Sequence, residues 1–228
     1  NTRKQLLLKT LYAYIANSSA LDDLDCFSMF GTNSFNMVWE KVCAEVLDNQ
    51  LQKPIGGLRL PVPLAEQYHD MRYKKLIDLI DKPQWSGTAP NGEPFVKQAE
   101  DTLIPDLISI VNVDGHCQFI IFDAKYYNIQ LEHNKKLRGQ PGIESITKQY
   151  LYQLVYQPFV DAHQIGTVKN CFLMPTEMSE IIEKGSVSLA MMKRLGLEDI
   201  QVRLLPAKTV FTHYLKNTKL DIQDLNLR

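Results

Sequence analysis

The chain has 228 residues, of which 45% are hydrophobic and 22% charged, and its formal net charge is −1. This balance is ordinary for a globular protein and disfavours a basic DNA-coating protein, but not a nuclease whose acidic site offsets basic loops. No apolar run approaches the roughly 20 residues that span a bilayer, so no membrane partner is expected. The four cysteines are scattered without a Cys-x-x-Cys pair, which favours a reducing cytoplasm over a zinc site or a disulfide framework.

The first elements are helical. Residues 1–30 are predicted to form an N-terminal helical segment, with one helix over residues 2–17, and residues 31–228 to form the main domain. A further helix is predicted over residues 35–49. Glu40 and Glu45 flank its apolar face, so either could supply an acid to a site bordering the core, although most helix glutamates are simply exposed.

The segment before the centre of the chain is irregular in pattern. Proline and glycine in residues 51–63 predict a loop, with a short strand at residues 58–60. Residues 65–80 are predicted to be helical, residues 81–93 to be turns, and residues 95–97 to be a short strand. Trp85 is either an exposed aromatic or a lid over the core.

The strongest signal is a hairpin over residues 103–127. Two runs rich in β-branched and aromatic residues flank Asp114 and Gly115, a dipeptide typical of a tight hairpin turn. A loop of even length there pairs Val113 with His116, and the same register places Asp106 opposite Asp123.

This register would gather charged groups at one place. Lys125 lies on the same face as Asp123, because side chains alternate along a strand. Two aspartates opposed across strands repel, and aspartate is a poor strand former. A divalent cation would compensate, since hard cations bind carboxylate oxygens, and Lys125 could then orient a metal-bound water. The alternative is that Asp106 and Asp123 are exposed strand ends that form a surface salt bridge with Lys125.

The rest of the chain alternates helices and strands. A basic connection over residues 128–142 carries Lys135, Lys136 and Arg138, which either clamp a phosphate backbone or are merely solvated. A helix over residues 143–162, interrupted near Pro158, follows. Strands are predicted at residues 170–175 and 200–205, and helices at residues 186–195 and 209–217. The helix at residues 143–162 aligns Gln149, Gln153 and Tyr156 on one face. The economical architecture is a single α/β domain with a central mixed sheet flanked by helices.

The ordered set of motifs resembles the PD-(D/E)XK nuclease superfamily. More narrowly, the runs Phe-Asn-Met-Val-Trp-Glu at residues 35–40, Leu-Ile-Pro-Asp at 103–106 and Phe-Asp-Ala-Lys-Tyr-Tyr at 122–127 resemble the LlaJI family of restriction endonucleases. That family is similar to McrC, the nuclease partner of a GTP-driven AAA+ motor. The resemblance implies a restriction-endonuclease-like core over most of residues 31–175.

The resemblance also implies a role for each matching residue. Asp106 and Asp123 would hold Mg²⁺, for which Mn²⁺ can substitute, with the backbone carbonyl of Ala124 and with Glu40 as the helix acid. Lys125 would position or activate the attacking water. The auxiliary polar residues of the superfamily fall at three positions of the later helix: Gln149, Gln153 and Tyr156.

The implied function is cleavage of double-stranded DNA as a subunit or domain of a restriction system. The chain has no Gly-rich phosphate-binding loop, so a McrB-like AAA+ GTPase would be a separate polypeptide. A DNA-recognition domain N-terminal to the nuclease is expected to be missing. Two alternatives remain open: a catalytically silent assembly or DNA-docking module of the same fold, and a metal-dependent hydrolase of a small phosphoester.

Overall fold

The computed structural model of the protein describes residues 34–113 and 115–228. They belong to one compact unit, Ser34–Arg228. The helical segment predicted over residues 1–30 and the turn residue Asp114 therefore lie outside the described residues. The unit has a mixed α/β architecture with a central sheet, as the sequence predicts.

Seven strands form two sheets in the described part of the chain. They are β1 (Gln84–Thr88), β2 (Pro94–Gln98), β3 (Leu107–Val113), β4 (His116–Ala124), β5 (Thr167–Thr176), β6 (Ile182–Val187) and β7 (Ile200–Pro206). β1 and β2 form a separate hairpin, and the central sheet has the order β3-β4-β5-β7-β6. In it β4, β5 and β7 are parallel, while β3 and β6 pair antiparallel at the two edges.

The helices cover both faces of the central sheet. They are α1 (Phe35–Val46), α2 (Ile143–Ala162), α3 (Ala190–Lys193) and α4 (Ala207–Lys216), with 3₁₀ turns at Ile55–Gly57, Glu66–Met71, Leu76–Leu79 and Ile222–Leu225. α1 buries Trp39, Val42, Cys43 and Val46 at helical spacing against the face that α4 also covers. α2 and the first three 3₁₀ turns pack on the opposite face.

The register of the central hairpin is confirmed. Val113 pairs with His116, and the ladder continues to Leu107 opposite Phe122. Along β4, Phe122 faces α1 and Ile121 faces α2, because successive side chains point to opposite faces. Asp123 therefore belongs to the face that α2 covers.

The helix predicted over residues 65–80 is wrong. Two 3₁₀ turns stand there instead, and the backbone between them bonds to an earlier segment: Ile55 donates to the Lys74 carbonyl and Gly56 to the Arg72 carbonyl. These tertiary hydrogen bonds occupy carbonyls that a helix would have used internally. The short strand predicted at residues 58–60 is also wrong, because these residues form no strand. The β-bridge of this segment lies earlier, between Pro54 and Lys75.

The helix predicted over residues 186–195 is mostly wrong as well. Its start belongs to β6, which pairs with β7, and only Ala190–Lys193 is helical. The turn-rich residues 81–93 include β1, which alternation did not reveal because its residues are almost all exposed. Pro158 does not interrupt α2, since burial of Phe159 and Val160 holds the helix to the core beyond it. The strands predicted at residues 95–97, 170–175 and 200–205 and the last helix are confirmed.

The outer edge of β3 is covered by the segment that follows α1. Asn49 Oδ1 accepts hydrogen bonds from the main-chain N–H of Leu51 (2.9 Å) and of Ile108 (3.1 Å). Asn49 Nδ2 donates to the Asp106 carbonyl at 3.3 Å. The Gln50 N–H donates to the Ile108 carbonyl at 2.7 Å. These bonds protect the sheet edge and fix the backbone around Asp106.

We expect Asn49→Ala to lower the free energy of unfolding by about 1–3 kcal/mol, because it leaves two main-chain N–H groups without an acceptor. Asn49→Asp is the matched variant, since it keeps the acceptor oxygen and should lose less. Urea denaturation measures both. Equal losses would show that the anchoring hydrogen bonds are not what stabilises this edge.

Candidate active site

Two carboxylates meet where β3 begins and β4 ends. Asp106 immediately precedes β3, and its Oδ2 accepts a hydrogen bond from the Ala124 N–H at 2.9 Å. The hairpin register, extended by one residue, sets Asp106 opposite Asp123. The sequence-predicted pair is therefore together, on the face under α2 and at the carboxyl end of β4.

Lys125 joins this pair through an ion pair. Its Nζ lies 2.5 Å from Asp123 Oδ1. Asp123 is only 6% exposed, and its Oδ1 is buried. Burial and then repulsion by Asp106 raise the pKa of Asp123 to about 7, with Lys125 acting in the opposite direction. Burial alone would lower the pKa of Lys125, but the Asp123 carboxylate holds it above its usual value.

Helix α1 brings Glu40 to the same cluster. The neighbouring Trp39 donates its indole N–H to the Leu173 carbonyl at 3.1 Å. The main-chain N–H of Lys125 donates to that same carbonyl at 2.9 Å. Burial and then the Asp106 carboxylate raise the pKa of Glu40, while Lys125 opposes the shift. Glu45, the alternative acid, forms an ion pair with Lys41 at 2.9 Å.

The three predicted auxiliary residues of α2 are all buried, but their side chains make different contacts. Gln153 accepts a hydrogen bond from Asn170 Nδ2 at 2.6 Å, and Asn170 pairs with Ile121 on β4. α2 returns the chain from the end of β4 to the start of β5, so Gln149, one turn earlier, lies about 6 Å nearer the level of Asp123.

Gln149 and Tyr156 differ in what surrounds them. Gln149 is fully buried, and neither of its amide atoms finds a hydrogen-bond partner in the described structure. Tyr156 donates to the Leu76 carbonyl at 3.3 Å and belongs to the apolar core behind the sheet. Gln149 thus keeps its polar atoms without a partner in the described structure, whereas Tyr156 belongs to the core.

Sequence reasoning missed Tyr152. Its hydroxyl donates to the Ile104 carbonyl at 2.9 Å, two residues before Asp106. Burial and then the charges of Asp106 and Asp123 raise the pKa of Tyr152. The signal was present, because Tyr152 lies three residues after Gln149 and shares its side of the helix.

The basic connection forms an exposed loop. Lys135 is ion-paired with Glu132 at 2.7 Å, and the three cationic side chains are exposed: Lys135, Lys136 and Arg138. Paired main-chain bonds between Gln130 and Arg138 close this loop. Gly139 follows with a φ of 64°, and a side chain there would collide with the Asn128 carbonyl.

The cluster carries an excess of negative charge. Among the residues that the structure describes, Glu40, Asp106 and Asp123 interact with one ammonium, that of Lys125. Among residues 34–113 and 115–228, no three histidine, cysteine or acidic side chains are close enough to hold a metal ion by themselves. Any cation bound here would need further oxygen ligands from main chain, water or substrate.

Comparison with known proteins gives a consistent result. A family model described as LlaJI restriction endonuclease matches residues 1–61 and 65–209. The type II restriction enzyme BsuMI component YdjA of Bacillus subtilis (strain 168) is 31% identical over 200 residues, which cover 87% of this chain and 36% of that protein. The chain thus spans about a third of the length of this relative. No solved structure matches. In the described residues, no helix has the length and apolarity to cross a membrane.

The raised pKa of Asp123 predicts a pH-dependent stability of the metal-free protein. The folded value of about 7 lies above the ordinary 3.8, so the favourable contribution of protonated Asp123 is complete below about pH 4 and is lost as pH rises through 7. Asp123→Asn removes this loss. In EDTA, its free energy of unfolding relative to wild type should therefore increase by about 1 kcal/mol or more between those pH values. Denaturation at both pH values measures it, and a difference independent of pH would contradict the assignment.

Proposed function

Because the chain belongs to the LlaJI restriction endonuclease family, we propose that it is the cleavage domain of a restriction system. In this proposal it is a Mg²⁺-dependent endonuclease of the PD-(D/E)XK type that hydrolyses phosphodiester bonds of double-stranded DNA. The observation that carries the proposal is the meeting of Asp106 and Asp123 on one sheet face, with Lys125 Nζ 2.5 Å from Asp123.

The residues present fit a hard divalent cation. Asp123 Oδ1, a buried carboxylate oxygen whose negative charge faces the Lys125 ammonium, is an oxygen donor of the kind that Mg²⁺ binds. When all three carboxylates are ionised, the formal excess of two negative charges at the cluster equals the charge of the ion. Asp106 and Asp123 would hold the ion with the Ala124 carbonyl, and Glu40 would complete the acidic side of the site.

The protein groups around the ion would divide the remaining work. A bound Mg²⁺ would supply Lewis acidity and lower the pKa of a coordinated water. The Lys125 ammonium would orient the attacking water and stabilise negative charge developing on the phosphoryl oxygens. Gln149, whose buried amide lacks a partner in the described structure, would hold this arrangement from the α2 side. Attack on phosphorus then forms one P–O bond and breaks the bond to the leaving sugar oxygen.

The proposed function also includes partner polypeptides and a cellular compartment. The relative is called a component of a type II enzyme, and we propose that this chain likewise acts with other polypeptides, in the manner of McrC with an AAA+ GTPase motor. Its three described cysteines, Cys43, Cys117 and Cys171, are free thiols. They suit a reducing cytoplasm.

Nicking of supercoiled plasmid tests the chemistry. At protein in excess over DNA, Mg²⁺ should support nicking and EDTA should abolish it. Asp123→Ala should reduce the rate by about a hundredfold or more, because it removes a ligand of the activating ion. A catalytically silent module would show no metal-dependent nicking in the wild type, and a small-phosphoester hydrolase would cleave only a model phosphodiester.

A matched pair of substitutions tests the helix acid in the same assay. Glu40→Gln should slow nicking, whereas Glu45→Gln, on the same helix but paired with Lys41, should leave the rate close to that of wild type. Both side chains are partly exposed, so neither change should unfold the protein. Loss of activity in Glu45→Gln alone would reverse the assignment.

The isolated chain should bind DNA weakly and cut it without sequence preference. Its affinity for duplex DNA should fall with added salt, and replacing Lys135, Lys136 and Arg138 with alanine should make the slope of log affinity against log salt shallower by about 1 for each residue that contacts phosphate. Lys208→Ala, on α4, is the matched control. Discrete, sequence-specific fragments from the chain alone, without partner or nucleotide, would refute the dependent-subunit model.

A further inference from the structure

The hairpin of β1 and β2 stands apart from the central sheet. It forms its own two-stranded sheet, and none of its ten strand residues is buried. Isolated two-stranded hairpins are marginal in water, so this one needs local support. The Thr102 hydroxyl bonds to the Asp81 carbonyl at 2.6 Å, and the Ala99 N–H bonds to the Pro83 carbonyl at 2.8 Å. These two bonds close the base of the hairpin.

One face of the hairpin is an aromatic surface. Trp85 pairs with Lys97 and Gly87 with Phe95, so these four residues share a face, because directly opposed residues point the same way. The outer edge of the Phe95 ring lies next to Gly87, where a Cβ would come within 2.6 Å of the ring's Cζ. The Lys97 ammonium sits 5.7 Å from the centre of that ring.

The exposure of this face sets it apart from ordinary core-forming aromatics. Trp85 is 70% exposed and Phe95 is 43% exposed, whereas the other tryptophan of the chain, Trp39, is fully buried. No described residue forms an aromatic pair with Trp85 or Phe95. Aromatic rings kept in water on one face, with a cation beside them, are typical of a stacking platform for nucleic-acid bases.

The hairpin leads directly into the candidate active site. Thr102, at its base, and Asp106 are four positions apart in the chain, which limits the distance between them to about 14 Å. The path is fixed, since Tyr152 holds the Ile104 carbonyl and Ala124 holds the Asp106 carboxylate. DNA bound at Asp106 would therefore pass the base of the hairpin within roughly four nucleotide rises.

The charge of the hairpin indicates which part of DNA it would bind. Residues 84–98 contain one acidic and one basic side chain, Glu93 and Lys97. Without a positive excess, the phosphates of a duplex would gain little here, and the bases of a duplex are already stacked on one another. Unpaired bases can stack on aromatic rings whatever their sequence.

We propose that the Trp85–Phe95–Lys97 face of this hairpin binds single-stranded DNA by stacking unpaired bases on Trp85 and Phe95, next to the cleavage centre. This inference rests on the proposed nuclease function for its biological setting, but not for its test. Lys97 contacts a phosphate or a base edge beside the stack. The hairpin thus retains an unpaired strand, such as one that a motor or a nick releases, close to Asp106 and Asp123.

The test measures binding without cleavage. An oligothymidylate of about 12 nucleotides, in EDTA, is titrated into the protein. Binding should protect Trp85 from iodide quenching of its fluorescence, since the buried Trp39 is out of reach of iodide in either state. Trp85→Ala should weaken binding about tenfold, and Trp85→Phe, which keeps a stacking ring, should restore most of it.

Two controls separate base stacking from phosphate binding and from a general disturbance of the hairpin. Val96→Ala, on the opposite face of the same hairpin and 62% exposed, should leave affinity unchanged. An abasic oligomer of equal length keeps the phosphates without the bases, so its affinity should be the same for wild type and Trp85→Ala. Equal weakening of both oligomers by Trp85→Ala would overturn the proposal.

The remaining outcomes are also decisive. Unchanged oligothymidylate affinity in Trp85→Ala would overturn the proposal, and if the same variant altered self-association in sedimentation velocity, the face would be a protein interface instead. Because EDTA blocks metal-dependent cleavage, a protein that fails to nick plasmid can still pass this test. Failure of the nuclease proposal and failure of the stacking proposal are therefore distinguishable.

Discussion

The Leu173 carbonyl is the junction on which the candidate site depends. It lies on β5 and accepts hydrogen bonds from the Trp39 indole at 3.1 Å and from the Lys125 main chain at 2.9 Å. The first bond sets the position of α1, and with it Glu40. The second continues the pairing of β4 with β5 beyond Ala124 and so fixes where Lys125 leaves the sheet. One carbonyl thereby holds the two elements that carry Glu40 and Lys125, although these residues are 85 positions apart in the chain.

The pair of Asp106 and Asp123 destabilises the protein locally, and the packing around the pair has to offset this. Burying Asp123 beside Asp106 raises its pKa to about 7, and an isolated hairpin could not keep such a pair. Here β4 lies between β3 and β5, with α2 packed across it. Strongly perturbed carboxylates in a partly enclosed site are characteristic of functional centres, since a fold gains no stability from them.

Local chemistry made part of this structure predictable from sequence. The Asp-Gly turn set the register of the central hairpin. Counting residues outward from the turn then placed Asp106 opposite Asp123 on the same face, because side chains alternate along each strand. The strand at residues 200–205 alternated clearly and ended at a proline. Where helical spacing was clear, as in α1, the sequence also placed the apolar face correctly.

Tertiary hydrogen bonding explains what the sequence did not reveal. Residues 65–80 have helical periodicity, yet Lys74 and Arg72 give their carbonyls to residues 55 and 56. Residues 182–187 have no strand pattern of their own and are ordered by β7, which they flank. Glu40 and Glu45 were equivalent on a helical wheel, because only the anchoring of Trp39 to Leu173 decides which edge of α1 meets the carboxylates. Tyr152 was visible by spacing, but its hydroxyl partner, Ile104, was not.

The contact between Phe95 and Gly87 restricts which substitutions evolution can accept at these two positions. The ring occupies the space that any side chain at position 87 would need. A larger residue at position 87 requires the Phe95 ring to turn away from the strand, whereas the loss of Phe95 leaves position 87 free to vary. The order of the two changes matters, and relatives that retain an aromatic ring at position 95 are expected to retain glycine at position 87. Covariation between positions 87 and 95 among relatives would show that this contact has been maintained.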